Sequence, residues 1–299
     1  MNKLLLTGSS GFLGHNLKPL LNSTYRIKTL GLTNNDDIKI NIATNIPEIT
    51  DSFDVILHAA GKAHSVPKTE ADKKVLFDVN YQGPVNLCQA LEQSGIPKAF
   101  IFISTVAVYG LEFGTDITEE HPLNGNSPYA LSKIQAEQFL RKWCAQYNVI
   151  LGIIRPSLIA GPNPPGNLGA MIQGIQTGHY LSIAGGKARK SVLMVQDIAR
   201  LLPSIIEKGG IYNVCDDTQP SFRELEIVIA KQLNKKPPVS IPYWVARSMA
   251  LAGDLLGNKA PINSWKLKKI TESLTFSNEK AKRELNWQPI NVLDNFKIG

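Results

Sequence analysis

Lys3-Leu4-Leu5-Leu6-Thr7-Gly8-Ser9-Ser10-Gly11-Phe12-Leu13-Gly14 is the stretch on which the reading of the whole chain turns. Residues 3–6 are a short apolar run of strand character. Glycines at steps of three follow it, and helix signals continue to about Leu21. Each glycine has a mechanical task. One makes a tight turn, one lets backbone approach a pyrophosphate, and one lets the helix pack closely on the strand. The first turn of the helix adds unpaired N–H groups and a partial positive charge suited to phosphate. Strand, loop and helix in immediate succession predict a dinucleotide site at Gly8, Gly11, Phe12, Leu13 and Gly14.

Outward from this unit, strand and helix patterns alternate. Strands are predicted at 25–30, 53–57, 99–103 and 149–154. Residues 69–94 carry apolar positions at helical spacing (Val75, Val79, Val85, Leu87, Leu91), and another helix begins near Ser127. This order predicts an α/β fold: a doubly wound parallel sheet covered by helices on both faces. After Arg155 the texture changes. Gly161-Pro162-Asn163-Pro164-Pro165-Gly166 is a turn-rich break. Short strands at 192–195 and 211–214 and amphipathic helices at 222–233 and 244–256 lie beyond it. The expected division is a dinucleotide-binding domain at 1–160 and a smaller α/β substrate lobe at 161–299, with room for a strand or helix of the C-terminal part to join the first domain.

Ser127-Pro128-Tyr129-Ala130-Leu131-Ser132-Lys133 carries the chemistry. Ser127 is a natural N-cap and Pro128 suits the first helical position. Tyr129 and Lys133 then stand at i and i+4, one turn apart on one face. A phenol of pKa about 10 is a poor base at neutral pH. A nearby ammonium and a positively charged nicotinamide favour phenolate. Tyr129 can then take or return a hydroxyl proton while hydride moves to or from carbon. A solvated surface pair is the plain alternative for Tyr-x-x-x-Lys by itself. However, the strand at 99–103 runs into Ser104 and Thr105, and ligands bind at the C-terminal ends of strands in open α/β sheets.

Together these motifs resemble the extended short-chain dehydrogenase/reductases, the nucleotide-sugar epimerase/dehydratase family. The glycine stretch is similar to that family's T-G-x-x-G-F/Y-x-G, and residues 104–110 to its S-S/T-x-x-V-Y-G. The resemblance implies that Thr105 is the catalytic Ser/Thr, that Tyr129 and Lys133 are the catalytic pair, and that Lys133 also bonds the nicotinamide ribose. His58-Ala59-Ala60-Gly61 is similar to H-x-A-A/G, whose small residues Ala59, Ala60 and Gly61 let backbone approach the cofactor; His58 itself is read as structural. Asn80 matches N-x-x-G, a helix tied near the cofactor. Arg155-Pro156-Ser157 opens a segment similar to R-P-x-x-V-Y-G-P and puts Pro156 by the nicotinamide. Residues 284–289 are similar to the family's terminal r-e-L-G-W-x-P.

The fold implied is Rossmann-type and the cofactor NAD or NADP. Gly31 stands where NAD-preferring members end their second strand with an acidic residue, and no Arg follows to take a 2′-phosphate. The choice stays open there, with NAD the first expectation. Asn41-Ile42 takes the place of the family's Asp-Ile or Asp-Leu beside the adenine.

The substrate implied is a nucleotide-diphosphate sugar. Arg189 or Lys190, before the strand at 192–195, is expected to meet its diphosphate, and Asn167 to contact it from a Gly-Asn turn. Val106 and Ala107 follow Thr105 where 4,6-dehydratases carry Asp-Glu, so dehydration is not expected. Residues 59–64, the Gly-Asn turn, and residues 242–244 with 255–257 look like a subgroup of surface-polysaccharide epimerases and 4-keto-6-deoxy-sugar reductases. The first expectation is a UDP-sugar 4-epimerase-type enzyme, and a keto-sugar reductase is the alternative. A non-catalytic dinucleotide sensor or scaffold is the rival of another class, and the presence of Tyr129, Lys133 and Thr105 together argues against it. A homodimer is expected.

Composition narrows the rest. With 299 residues, 43% hydrophobic and 19% charged, the chain is neither mainly disordered nor collagen-like nor a coiled coil. No apolar run approaches the roughly 18 residues of a membrane span, and the first residues carry too short an apolar run for a signal peptide. The cytoplasm is the expected place, without membrane insertion. Cys88, Cys144 and Cys215 are too few and scattered for a disulfide framework or zinc site, so no metal is expected. A net charge of +7 favours an anionic substrate. No dense Lys/Arg block accompanies it, so nucleic acid is not an expected partner.

Overall fold

The computed structural model describes residues 1–63, 67–255 and 262–299; His64, Leu256 and Gly257, singled out above, lie outside the described residues. The first half runs β1 (Lys3–Thr7), α1 (Phe12–Leu21), β2 (Arg26–Gly31), β3 (Ile38–Lys39), β4 (Val55–His58), α2 (Glu70–Phe77), α3 (Gly83–Ser94), β5 (Ala99–Ile103), β6 (Gly114–Ile117), α4 (Pro128–Tyr147) and β7 (Ile150–Pro156). The second continues with β8 (Leu158–Ala160), α5 (Gly166–Thr177), β9 (Ser182–Ile183), β10 (Val192–Met194), α6 (Val195–Lys208), β11 (Gly210–Val214), α7 (Phe222–Gln232), β12 (Ser240–Ile241), α8 (Tyr243–Asp254), α9 (Ser264–Thr271), β13 (Leu274–Phe276), α10 (Glu279–Leu285) and α11 (Val292–Asn295). No helix among the described residues is long and apolar enough to cross a membrane.

Seven strands form one parallel sheet in the order β11-β7-β5-β4-β1-β2-β3. Its central strands are apolar without alternation because both faces are covered. Successive residues turn to opposite faces. Leu4, Leu6, Ile101 and Ile103 pack with Leu17 of α1 and Leu201 and Ile205 of α6. Leu5, Phe100 and Phe102 pack with Leu87 and Leu91 of α3 and Leu140 and Trp143 of α4. From β1 the chain builds outward to β2 and β3, then crosses back to lay β4 on the other side of β1. That reversal opens a crevice at the C-terminal ends of β1 and β4, where such sheets bind ligands.

The strand expected at 211–214 in the smaller lobe belongs to this sheet. β11 pairs with β7 in register from Gly210 opposite Gly152 to Val214 opposite Pro156. α6, which precedes it, covers the sheet's first face. The sheet therefore takes an edge strand and a covering helix from beyond residue 160. The remaining elements pack a separate core around Leu168, Met171, Ile172, Leu225 and Ile229.

One polar cluster lies inside the structure. Arg155 of β7 is 1% exposed and Glu137 of α4 equally so. Their side chains meet through two hydrogen bonds, Nη2 to Oε2 at 2.6 Å and Nε to Oε1 at 3.0 Å. Ser104 Oγ donates to Glu137 Oε1 at 2.5 Å, Arg155 Nη1 donates to Tyr109 Oη at 3.0 Å, and Tyr109 Oη donates to Asn213 of β11 at 2.7 Å. Removing one member of such a pair strands a buried charge. Arg155→Met or Glu137→Gln is therefore expected to cost about 3–5 kcal/mol, and Glu137→Leu with Arg155→Met to recover much of it. Urea unfolding of the three variants checks this; additive losses in the double variant would contradict it.

Candidate active site

A cavity of about 510 Å³ occupies the crevice. Gly8, Gly11, Phe12 and Leu13 line it from the loop after β1, Ala59 and Gly61 from the segment after β4, and Thr105 from the segment after β5. Tyr129 and Lys133 face it from α4, and Pro156 from the end of β7. Ser157, Leu158, Ile159 and Pro165 complete the far wall. Leu158 and Ile159 had no signal in the sequence, since nothing in an apolar strand tells a cavity wall from a core.

The three glycines differ in what demands them. Gly8 has φ +73°, and a Cβ there would lie 2.7 Å from the Ala60 backbone. A Cβ on Gly14 would collide with the Gly8 carbonyl and Ser9. These two are required by the fold. A Cβ on Gly11 would meet nothing nearer than 3.4 Å, so its open side faces the cavity. Gly11 occupies the N-cap position of α1, with no side-chain cap and no acidic residue in the first turn. This helix start is fitted to an anion.

Thr7 and His58 secure the crevice from below. Thr7 Oγ1 accepts from Ala60 N at 3.1 Å and shares a hydrogen bond with His58 Nδ1 at 3.0 Å. His58 is fully buried and stacked on Phe102. Burial, with the Lys133 charge, pushes it down to about 3, so it stays neutral at pH 7.

α4 begins as its sequence predicts. Ser127 Oγ accepts from Ala130 N at 3.2 Å and Pro128 takes the first turn. Tyr129 is hydrogen-bonded to Thr105. Thr105 Oγ1 already accepts from Ala107 N at 3.1 Å, capping the short 3₁₀ turn Val106–Tyr109, so its hydrogen is available to the phenol oxygen. One turn on, Lys133 Nζ donates to the Ile103 carbonyl at 2.9 Å, lies 4.6 Å over the Phe102 ring, and sits beside Gly61. Burial pushes Lys133 down to about 8 against the opposing pull of Glu137. Burial likewise raises Tyr129 above its ordinary value, and the Thr105 bond offsets it in part. The expected lowering of Tyr129 by Lys133 is thus outweighed by burial, while the ammonium bonds a strand carbonyl.

Asn80 lies in a π-helical turn, Asp78–Gln82. It accepts from Lys62 N at 2.8 Å and donates to Lys62 O and to Ser132 Oγ, both at 3.1 Å. It therefore ties the segment after β4 to the helix of Tyr129. Ala60 covers Gly8 through its backbone. Asn41 caps its own turn at Ala43 N, and the Ile42 carbonyl accepts from Asn86. Neither lines the cavity, and neither does Asn167, exposed in the first turn of α5. Arg189 Nη1 donates to the Gln219 carbonyl at 2.9 Å and lies 3.5 Å from Glu224. Lys190 Nζ donates to the Glu272 carbonyl at 3.0 Å. Both cations stand outside the cavity lining.

A parallel sheet with a glycine loop at its crevice, and a Tyr–Lys helix facing a threonine across it, define a Rossmann-type dinucleotide protein of the short-chain dehydrogenase/reductase class. Residues 4–215 match the family described as the NAD dependent epimerase/dehydratase family, and the chain belongs to it. It is 30% identical to the N-acetyl-alpha-D-glucosaminyl-diphospho-ditrans,octacis-undecaprenol 4-epimerase of Escherichia coli O157:H7, over 94% of this chain and 88% of that one. It is 29% identical to the GDP-6-deoxy-D-mannose reductase of Pseudomonas aeruginosa, over 76% and 79%. Its fold is that of the Thermus thermophilus UDP-glucose 4-epimerase complex with NAD (TM-score 0.72, 22% identity, 96% and 94% covered).

The different roles of the glycines are testable. Gly11→Val is expected to fold normally and to lose dinucleotide binding in titration calorimetry. Gly14→Val is expected to lose about 3 kcal/mol or more of stability through overpacking. Unimpaired binding by folded Gly11→Val would move the site elsewhere. His58 gives a pH test. Its folded pKa is depressed from 6.5 to about 3, so below 6.5 the unfolded chain takes a proton that the native state refuses. Its stabilisation is complete above pH 6.5 and is lost as pH falls toward 3. Urea unfolding from pH 7 to 4 should show a shallower loss in His58→Leu than in the wild type.

Proposed function

We propose that this protein transfers hydride at a sugar carbon, C4, of a nucleotide-diphosphate sugar, as a UDP-sugar 4-epimerase-type enzyme of surface-polysaccharide biosynthesis. NAD or NADP is its cofactor, NAD first. The observation that carries this reading is the Tyr129–Thr105 hydrogen bond, with Lys133 buried one turn below, in the cavity that starts at the glycine loop.

The residues fit a dinucleotide. Gly8 and Gly11 give backbone access at the uncapped start of α1 for a pyrophosphate, and Ala59, Gly61, Lys133 and Pro156 surround the far end for the nicotinamide. When bound, the nicotinamide supplies a hydride acceptor and donor. Tyr129 Oη takes the proton from the sugar hydroxyl as the carbon is oxidised, and gives it back on reduction. Thr105 orients the phenol and the reacting oxygen by its remaining hydrogen-bond capacity. Lys133 keeps positive charge close to the phenol and favours its ionised form. Val106 and Ala107 carry no acid or base, so elimination of water is not part of the proposal.

A second reading, reduction of a nucleotide 4-keto-6-deoxy sugar with NAD(P)H, uses the same three residues and draws on the similarity to the Pseudomonas reductase. The assay separates the two. An epimerase inverts C4 of a UDP-hexose without consuming cofactor, whereas a reductase consumes NAD(P)H with a 4-keto sugar. The name of the Escherichia coli relative puts the sugar on diphospho-undecaprenol, so the assay includes that carrier beside UDP. In whichever reaction is found, Tyr129→Phe is expected to lower kcat by roughly 10²–10⁴ with the fold intact. Lys133→Met should do comparable damage and also weaken cofactor binding, and Thr105→Val should cost less. Near-normal turnover by Tyr129→Phe would overturn the mechanism.

A further inference from the structure

β2 ends at Gly31 with no acidic side chain of its own. The segment 32–37 that joins it to β3 turns back over that end. Asp36 N donates to the Thr33 carbonyl at 3.2 Å, and Asp36 Oδ2 accepts from Thr33 N at 3.0 Å and Thr33 Oγ1 at 2.7 Å. This small turn lays the carboxylate directly on Gly31. A Cβ added to Gly31 would lie 2.6 Å from Oδ2 and 2.9 Å from Oδ1, so Asp36 fills the space that a side chain at Gly31 would need. Ser9, between Gly8 and Gly11 of the loop that lines the cavity, donates its hydroxyl to Asp36 Oδ1. The carboxylate thus bridges the end of β2 and the glycine loop, although it comes from five residues farther along the chain.

Its neighbour does something else. Asp37 Oδ2 accepts from Thr29 N and Thr29 Oγ1 and ties the segment to the side of β2. Only Asp36 is joined to the glycine loop. Burial opposes its ionisation, but the bonds from Ser9 and Thr33 and the charge of Lys18 hold its pKa below the usual carboxylate value. Residues 32–37 contain no Lys or Arg, and Lys39 Nζ is bonded to Asn34.

In dinucleotide folds the end of the second strand, beside the glycine loop, is where an acid meets the adenosine ribose. A carboxylate accepts hydrogen bonds and repels phosphate, so it distinguishes a ribose 2′-hydroxyl from a 2′-phosphate. We infer that Asp36, braced by Ser9 and Thr33, supplies the carboxylate absent from Gly31 and selects NAD over NADP. The inference rests on the dinucleotide reading above. It assigns a specificity-determining role to a residue outside the strand.

Binding, not turnover, tests it. The wild-type protein is titrated with NADH and NADPH, following fluorescence. NADPH is expected to bind about a hundredfold more weakly, the scale of a like-charge clash. Asp36→Asn removes the charge and should bring the two Kd values to within about tenfold of each other, the acceptor role being partly kept. Asp36→Ala with Gly31→Asp moves the carboxylate onto the strand, into space that the first change vacates, and should restore the preference for NADH. Equal wild-type affinities would overturn the role of Asp36 and leave the dinucleotide reading standing. So would folded Asp36→Asn and Asp36→Ala variants that keep the wild-type ratio. Binding of neither nucleotide would overturn both readings. The wild-type ratio needs no variant, so the proposal remains testable if Asp36 substitutions disturb the turn.

Discussion

Glu137 and Arg155 meet where the helix of Tyr129 crosses the strand that ends at Pro156. Tyr129, Lys133 and Glu137 are spaced at i, i+4 and i+8, so they share one face of α4. The first two reach the cavity and the third is gripped by Arg155 beneath it. Ionic groups this deeply buried lose more by desolvation than their attraction returns unless their hydrogen-bonding capacity is filled. Here Ser104, Tyr109 and Asn213 extend the pair, and they draw on β5, the 3₁₀ turn after Thr105, and β11. The position of the phenol relative to Thr105 is therefore set by charge pairing in the interior. Glu137 also counters the effect of burial on Lys133, so the same carboxylate positions the helix and helps keep its lysine charged.

Local features were readable in the sequence because they are produced locally. Ser127 and Pro128 start α4 through bonds within four residues, and the apolar runs of β1, β4 and β5 follow from burial on both faces. The long-range features were not. β11 carries no mark of its partner, since pairing with β7 depends on register across more than fifty residues. Arg155 was visible only as part of a motif, because its partner Glu137 lies on another element. Asp36 looked like one of two adjacent loop acids, and only the back-folded turn distinguishes it from Asp37.

The glycine loop shows the same limit at finer scale. Gly8, Gly11 and Gly14 are equivalent as a spacing. In the structure, two of them are demanded by backbone approach within the protein, and one leaves room for something that is not protein. The tyrosine shows it in chemistry. Helical spacing puts Lys133 beside Tyr129, but it does not reveal that the ammonium would be bonded to Ile103 or that the phenol would be so enclosed.

The addition of β11 to the sheet also bears on how the molecule is made. A ribosome delivers β7 well before β11, and until residues 210–214 emerge the Ile150–Pro156 strand presents an open edge of unpaired amides and carbonyls. α6, the cover for one face, arrives in the same late instalment. A nascent or truncated chain ending near residue 160 would carry a sticky strand border and a bare apolar face at once, the conditions under which partly made α/β proteins associate with one another or are held by chaperones. The chain's two lobes are thus unequal in time as well as in size: the first to be synthesised is finished only by the second.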